Sequence, residues 1–315
     1  IDGITDNEAW TNYRSRKPEL RRLFRAFNFP EWVRPVNRGR YPSESAFLLL
    51  IRRMRYPGRW HDLQVEFGRE YTQLSRIFNV VIDWVYENHL HRVTHNLEFF
   101  FPRFPTMCKK IEAKGELWMA CEGGNFIGFI DGTLRRNCRP GGDPALQEQM
   151  YDGHHCAHGL AWQSVVFADG MLEIWGPEMG RRNDALLLSR SGLNGRLAAV
   201  QAGNPVQFKV YGDAAYPVSS HVDRGFRGAN LTVAQKTYNR ELSKVRVSVE
   251  WQFGKIVALL PDVDFKQNLK IKLQAVAKYY AVAVLLTNAH TCLFRSITGE
   301  YFDMSAPSLE AYFAF

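Results

Sequence analysis

The sequence predicts an α/β protein in which a mixed sheet is flanked by helices and preceded by a basic α-helical module. Three observations carry this. Apolar residues recur at helical spacing through the segments before about residue 90. Short apolar runs bounded by turn residues begin only near residue 125, where Asn125–Ile130 reads NFIGFI. Charge divides in the same way: residues 1–110 hold 19 Lys and Arg against 12 Asp and Glu, and the remainder is nearly balanced. The boundary is therefore placed between 122 and 123, giving a helical, basic N-terminal module (1–122) and a second domain (123–315).

In the first module a helix is expected over Pro18–Phe27. Ser43 is expected to cap the next helix, whose apolar positions Phe47, Leu50, Ile51 and Met54 share a face before Pro57-Gly58 ends it. A short helix over Arg59–Phe67, a turn at Gly68 and a third helix from Glu70 to Leu90 follow. This layout, over about 43–90, is that of a helix-turn-helix. Under that reading Tyr71, Thr72, Gln73, Ser75 and Arg76 face a major groove, where Gln and Arg can pair with base edges. An ordinary helical bundle packed on the next domain stays open as the alternative. Residues 95–122 read as a connector.

In the second domain Asn125–Ile130 is a strand ending at Asp131. Ala157–Phe167 and Met171–Trp175 form a hairpin about Ala168-Asp169-Gly170. Asp184–Val200 is a helix interrupted at Gly192, and Gln207–Tyr211 is a strand leading to Gly212-Asp213. A helix from about Ser243 carries Glu250, and a long helix spans about Asn268–Leu293. This succession is a mixed layer, not a Rossmann doubling.

Composition narrows the function classes. A formal charge of +8, concentrated in the first third, suits a partner that is a polyanion. The five cysteines are never spaced as CxxC, which suits a reducing compartment without a zinc ribbon. The most apolar stretch, Tyr279–Leu286, is too short to span a bilayer, so no membrane partner is expected. The sequence opens at Ile1 with no secretory signal, and its natural start is expected to lie upstream.

Chemistry is expected at the acids. Asp131 and Asp213 follow apolar strands, where loops of an open α/β sheet converge over a ligand. Two partly buried carboxylates side by side repel, which invites a divalent cation. Glu250 stands between Val249 and Trp251, with Arg246 one turn earlier and able to pair with it. His154, His155, Cys156 and His158 suggest zinc, but alternate strand residues point to opposite faces, so their convergence is not expected.

The segments FIDGT (129–133), GRRNDALLL (180–188), VYGDAAYP (210–217) and SKVRVSVEWQFGKI (243–256) resemble PIF/Harbinger-type DDE transposases and nucleases derived from them. The similarity covers roughly 42–295, and the ordered set of four motifs is more specific than any one. It implies an RNase H-like core and a DNA transposase or endonuclease. It also implies two Mg²⁺ or Mn²⁺ ions held by Asp131, Asp213 and Glu250. Asp184 matches an acidic family position; it is either a metal ligand or a helix N-cap, and the cap reading is preferred. Leu134-Arg135-Arg136 departs from the family pattern after the first aspartate.

Arg135, Arg136, Arg139, Arg181, Arg182 and Lys255 are candidates to hold phosphates, with His158 beside them. The resemblance further implies duplex DNA as partner (transposon ends and a short target), a Myb-like DNA-binding partner protein, a homo-oligomer and a nuclear location. Two other readings stand: a domesticated transposase that binds DNA or protein without cutting, and an RNase H-like nuclease acting on RNA or hybrids.

Overall fold

The computed structural model describes residues 1–35, 39–114 and 125–315. The expected boundary at 122/123 and Cys121 lie outside the described residues.

Helices dominate the first module. α1 (Asp6–Tyr13) and α2 (Lys17–Phe27) precede a two-residue ribbon of β1 (Trp32–Val33) and β2 (Tyr41–Pro42). Next come α3 (Ser43–Arg55), α4 (Trp60–Phe67) and α5 (Tyr71–His89). α3 is buried on nearly every side (Ala46 to Ile51, and Met54), which is why its sequence is apolar beyond a single stripe. Its N-cap is Pro42 and not Ser43, which forms the first helical turn. α4 stops at Gly68, whose φ of 61° is the left-handed conformation that glycine adopts without cost. α5 buries Leu74, Ile77, Phe78, Val81, Ile82 and Val85 at the spacing its sequence predicts.

The stretch expected to be a connector is helical as well: α6 (His91–Thr94), α7 (Leu97–Phe100) and α8 (Phe104–Glu112). Phe100 and Phe104 are fully buried against Phe167, so this stretch belongs to the core of the second domain. Each such aromatic contributes about 1.5–3 kcal/mol of burial.

The sheet is built on β3 (Phe126–Arg136) and β5 (Ala157–Phe167), paired antiparallel from Gly128↔Phe167 to Arg136↔Gly159. α9 (Pro144–Met150) and the short β4 (Tyr151–Asp152) lie between them in sequence. β6 (Leu172–Met179) returns along the far side of β5 through a turn whose Gly170 has φ 80°. On the other side of β3 come β7 (Lys209–Gly212) and then β8 (Val222–Arg224), both parallel. The order β4-β5-β3-β7-β8, with β6 beside β5, is the mixed sheet expected.

β3 corrects one expectation. It does not end at Asp131 but runs to Arg136, because β5 keeps supplying antiparallel hydrogen-bond partners as far as Gly159.

α10 (Asp184–Ser191) and α11 (Leu193–Val200) are the expected helix, broken at Gly192 with φ 63°. α12 (Val233–Arg246) and α13 (Ser248–Leu259) meet at Val247. α14 (Val276–Phe294) starts later than the sequence suggests, after a turn with Lys272 at φ 71°. It is buried nearly all round, and its Asn288 is satisfied by pairing with the backbone N–H (2.9 Å) and carbonyl (2.8 Å) of Leu172. α15 (Ile297–Tyr301) and α16 (Leu309–Ala314) close the chain described. Among the described residues no helix is long and apolar enough to cross a membrane.

The helical module is docked on this domain by its α5 face. The Tyr279 hydroxyl donates to Asn79 (2.8 Å), Lys278 pairs with Asp83 (2.6 Å), and Arg53 pairs with Asp262 in a fully buried contact (3.5 Å).

Candidate active site

β3 and β7 bring the first two acids together. Their last parallel pair is Ile130↔Gly212, so Asp131 and Asp213 each follow one residue later, side by side on neighbouring strands. β3 continues there while β7 stops. Asp213 turns the chain, its Oδ1 accepting the backbone N–H of Ala215 at 2.8 Å.

Asp184 reaches the same place from α10. The N-cap of that helix is Asn183, whose Oδ1 accepts from the Leu186 N–H at 3.0 Å, so the preferred cap reading of Asp184 is wrong. Two cap-competent residues stand in a row, and the first takes the role. Asp184 is left free to press its carboxylate onto Gly132: a Cβ built there would lie 2.1 Å from Asp184 Oδ1. The glycine of the DGT segment is therefore required by close approach, not by backbone conformation.

The charge balance among these groups is unfavourable. Burial pushes the Asp131 carboxyl up to about 6; Arg246 opposes the rise, and Asp213 and Asp184 add to it. Asp184 is raised too, by burial first and then by Asp213 and Asp152, with His155 and His154 opposing. The Tyr216 hydroxyl is buried near Gln163; burial, then Asp184 and Asp131, hold its phenol protonated. Nothing in the composition or periodicity of the sequence marked Tyr216 or Gly132 beyond their place in short motifs.

Glu250 does not join the cluster. It lies in the first turn of α13 with an exposed side chain and no hydrogen bond or ion pair to it among the described residues. The expected pairing with Arg246 is replaced: Arg246 Nη1 donates to Asp131 Oδ2 at 3.0 Å, the two side chains being 24% and 20% exposed. Arg246 thus occupies one Asp131 oxygen. Among the described residues, no three His, Cys, Asp or Glu side chains converge tightly enough to hold one ion as they stand.

The predicted phosphate-holding residues separate into groups. Arg181 and Arg182 line a cavity of about 490 Å³ with Gly132, Thr133, Asp184 and Asp213, and Arg181 also pairs with Glu148. Arg136 is exposed on the continuation of β3. Arg135 bonds Thr133 Oγ1 and lies over the Tyr280 ring (5.2 Å), and Arg139 donates to Gln147 (2.9 Å). His158 meets the Tyr151 ring edge-to-face (centroids 5.3 Å apart). Lys255 is engaged elsewhere: it is half-buried and donates to Thr291 Oγ1 and the Arg295 carbonyl, both at 2.8 Å. Burial also pulls its ammonium down to about 8. Gln73 and Arg76 line a separate cavity of about 170 Å³ with Arg40, Arg69 and Tyr41, away from the acids.

A family model described as DDE superfamily endonuclease matches residues 130–288. The chain belongs to that family. No curated protein and no solved structure matches it significantly. The matched span begins one residue before Asp131 and includes Asp184, Asp213 and Glu250.

The donor set fits a hard divalent cation, because carboxylate oxygens are its usual ligands and the nearby cationic side chains do not offset the burial of Asp131 and Asp184. A pH effect follows. Asp131 binds its proton more tightly folded than unfolded, so its ionisation should cost stability as pH rises from about 4 through about 6. Without divalent ions, Asp131→Asn should therefore be more stable than wild type at pH 7.5, by about 1–3 kcal/mol, with the advantage gone at pH 4. Urea unfolding at the two pH values measures it; an equal difference at both would show that the carboxylate is not strained by its charge.

Proposed function

We propose that this endonuclease cuts DNA phosphodiester bonds with two divalent cations, Mg²⁺ or Mn²⁺, held by Asp131, Asp213 and Asp184 and closed by Glu250, in the manner of Harbinger-type transposases. The observation that carries this reading is the placement of Asp131 and Asp213 on adjacent strands at one level, with Asp184 packed onto Gly132 beside them. The hairpin followed by two parallel strands is also the succession of an RNase H-like sheet. When bound, such ions act as Lewis acids on the phosphodiester and the attacking water.

The chain's own residues do the rest. Were a cation to neutralise Asp131, Arg246 would be released from its ion pair, and its guanidinium would be free to hold a phosphate oxygen. Glu250, exposed in the first turn of α13 just beyond the break at Val247, would turn its side chain toward the vacated oxygen. Arg181 and Arg182 draw the polyanion into the cavity, and the basic helical module, with Gln73 and Arg76, holds the duplex.

A second reading, a binder that no longer cuts, is favoured by the existing Asp131–Arg246 ion pair and the exposed Glu250. Supercoiled plasmid separates the two. Nicked and linear products with Mn²⁺ or Mg²⁺, absent with EDTA and absent from matched RNA, support the nuclease; retarded but intact plasmid under every condition supports the binder.

A further inference from the structure

The loop between β4 and β5 carries a side-chain pair that the acidic cluster does not use. Asp152 Oδ1 accepts the backbone N–H groups of His154 (2.7 Å) and His155 (3.2 Å), which fixes the turn. Its second oxygen does something that the turn does not need: Oδ2 takes the His155 ring through Nδ1 at 2.8 Å. That contact sets the ring orientation and, with Nδ1 as donor, leaves Nε2 as the nitrogen that exchanges protons. Nε2 has no partner among the described residues, and both histidines line the cavity that also holds Thr133, Asp184 and Asp213. The His154 ring lies 5.0 Å away and nearly perpendicular.

Cleavage of a phosphodiester expels a strongly basic oxygen, which leaves faster if it receives a proton as the bond breaks. Among the groups lining this cavity, arginines keep their protons, and the carboxylates must be ionised to hold cations. Imidazole is the commonest general acid among protein side chains, and of the two histidines only His155 has its ring held by a carboxylate.

We propose that His155, oriented by Asp152, is the general acid that protonates the leaving 3′-oxygen. This rests on the nuclease reading above. Water adds to phosphorus as the P–O3′ bond breaks; Nε2 delivers its proton to the 3′-oxygen, and the proton lost by the water passes to solvent. The products are a 3′-hydroxyl and a 5′-phosphate, and solvent reprotonates His155.

The test uses a duplex containing the main cut position mapped on plasmid, made once with the natural 3′-oxygen and once with sulfur in its place. A thiolate leaves without a proton. In Mn²⁺, His155→Ala should slow cutting of the oxygen duplex by about a hundredfold or more, and of the sulfur duplex by less than about threefold. Asp152→Asn should show the same contrast at smaller size. Cutting of the sulfur duplex by each variant also shows that it is folded. Equal slowing of both duplexes, or no slowing of either, overturns the acid role and leaves the nuclease reading standing. If wild type cuts neither, that reading and this inference fall together.

Discussion

An Asp131→Asn protein is expected to lose DNA cutting by a factor on the order of a thousand or more while it still folds and binds DNA. Asp131 has acidic neighbours in Asp213 and Asp184. It lies on the long central strand, faces Arg246, and is electrostatically coupled to both Asp213 and Asp184. Asparagine keeps the shape and one acceptor oxygen but removes the charge that would hold a cation. A loss of several kcal/mol of transition-state stabilisation corresponds to that factor, since each 1.4 kcal/mol is tenfold. The same substitution should raise stability at neutral pH, because the buried charge costs more than Arg246 returns. Loss of cutting together with gain of stability distinguishes a site residue from a structural one. A variant that cuts at the wild-type rate would remove Asp131 from the chemistry.

Gly132→Ala should be nearly as damaging, although glycine carries no functional group. The added methyl would fall 2.1 Å from Asp184 Oδ1 and 3.0 Å from its Cγ, so the Asp184 carboxylate must leave its place. Its backbone neighbours are fixed by pairing on β5, where Gly132 faces Gln163, so the strand cannot yield instead. The expected outcome is a loss of cutting on the order of a hundredfold or more, with far-ultraviolet circular dichroism unchanged. Gly132→Ala with full activity would mean that the position of Asp184 does not matter, and with it that Asp184 is no part of the site.

Much of this site was legible in the sequence, for physical reasons that also explain the misses. Asp131 and Asp213 follow short apolar runs, and parallel central strands are apolar because both faces are covered. What the runs do not reveal is pairing: β3 outlasts its parallel neighbour because of β5, which contacts it from some thirty residues away in sequence. Asp184 was misjudged because cap chemistry is local and Asn183, one residue earlier, satisfies it. What places Asp184 beside the other two acids is the approach of its carboxylate to Gly132, which no local pattern contains. Lys255 has the right spacing from Glu250 for a phosphate contact, but its partners come from the C-terminal end of α14. Glu250 is helical as expected, but the single helix expected from Ser243 is two: α12 begins at Val233 and a break at Val247 separates Arg246 from Glu250 on α13, an interruption that helical periodicity does not show.

Diffraction from crystals soaked in MnCl₂, recorded at a wavelength where manganese scatters anomalously, addresses the central claim directly. Strong anomalous density is predicted among Asp131, Asp184 and Asp213, with Arg246 withdrawn from Asp131 and Glu250 turned inward. Manganese bound only elsewhere, or none at all with the Asp131–Arg246 contact intact, would contradict it.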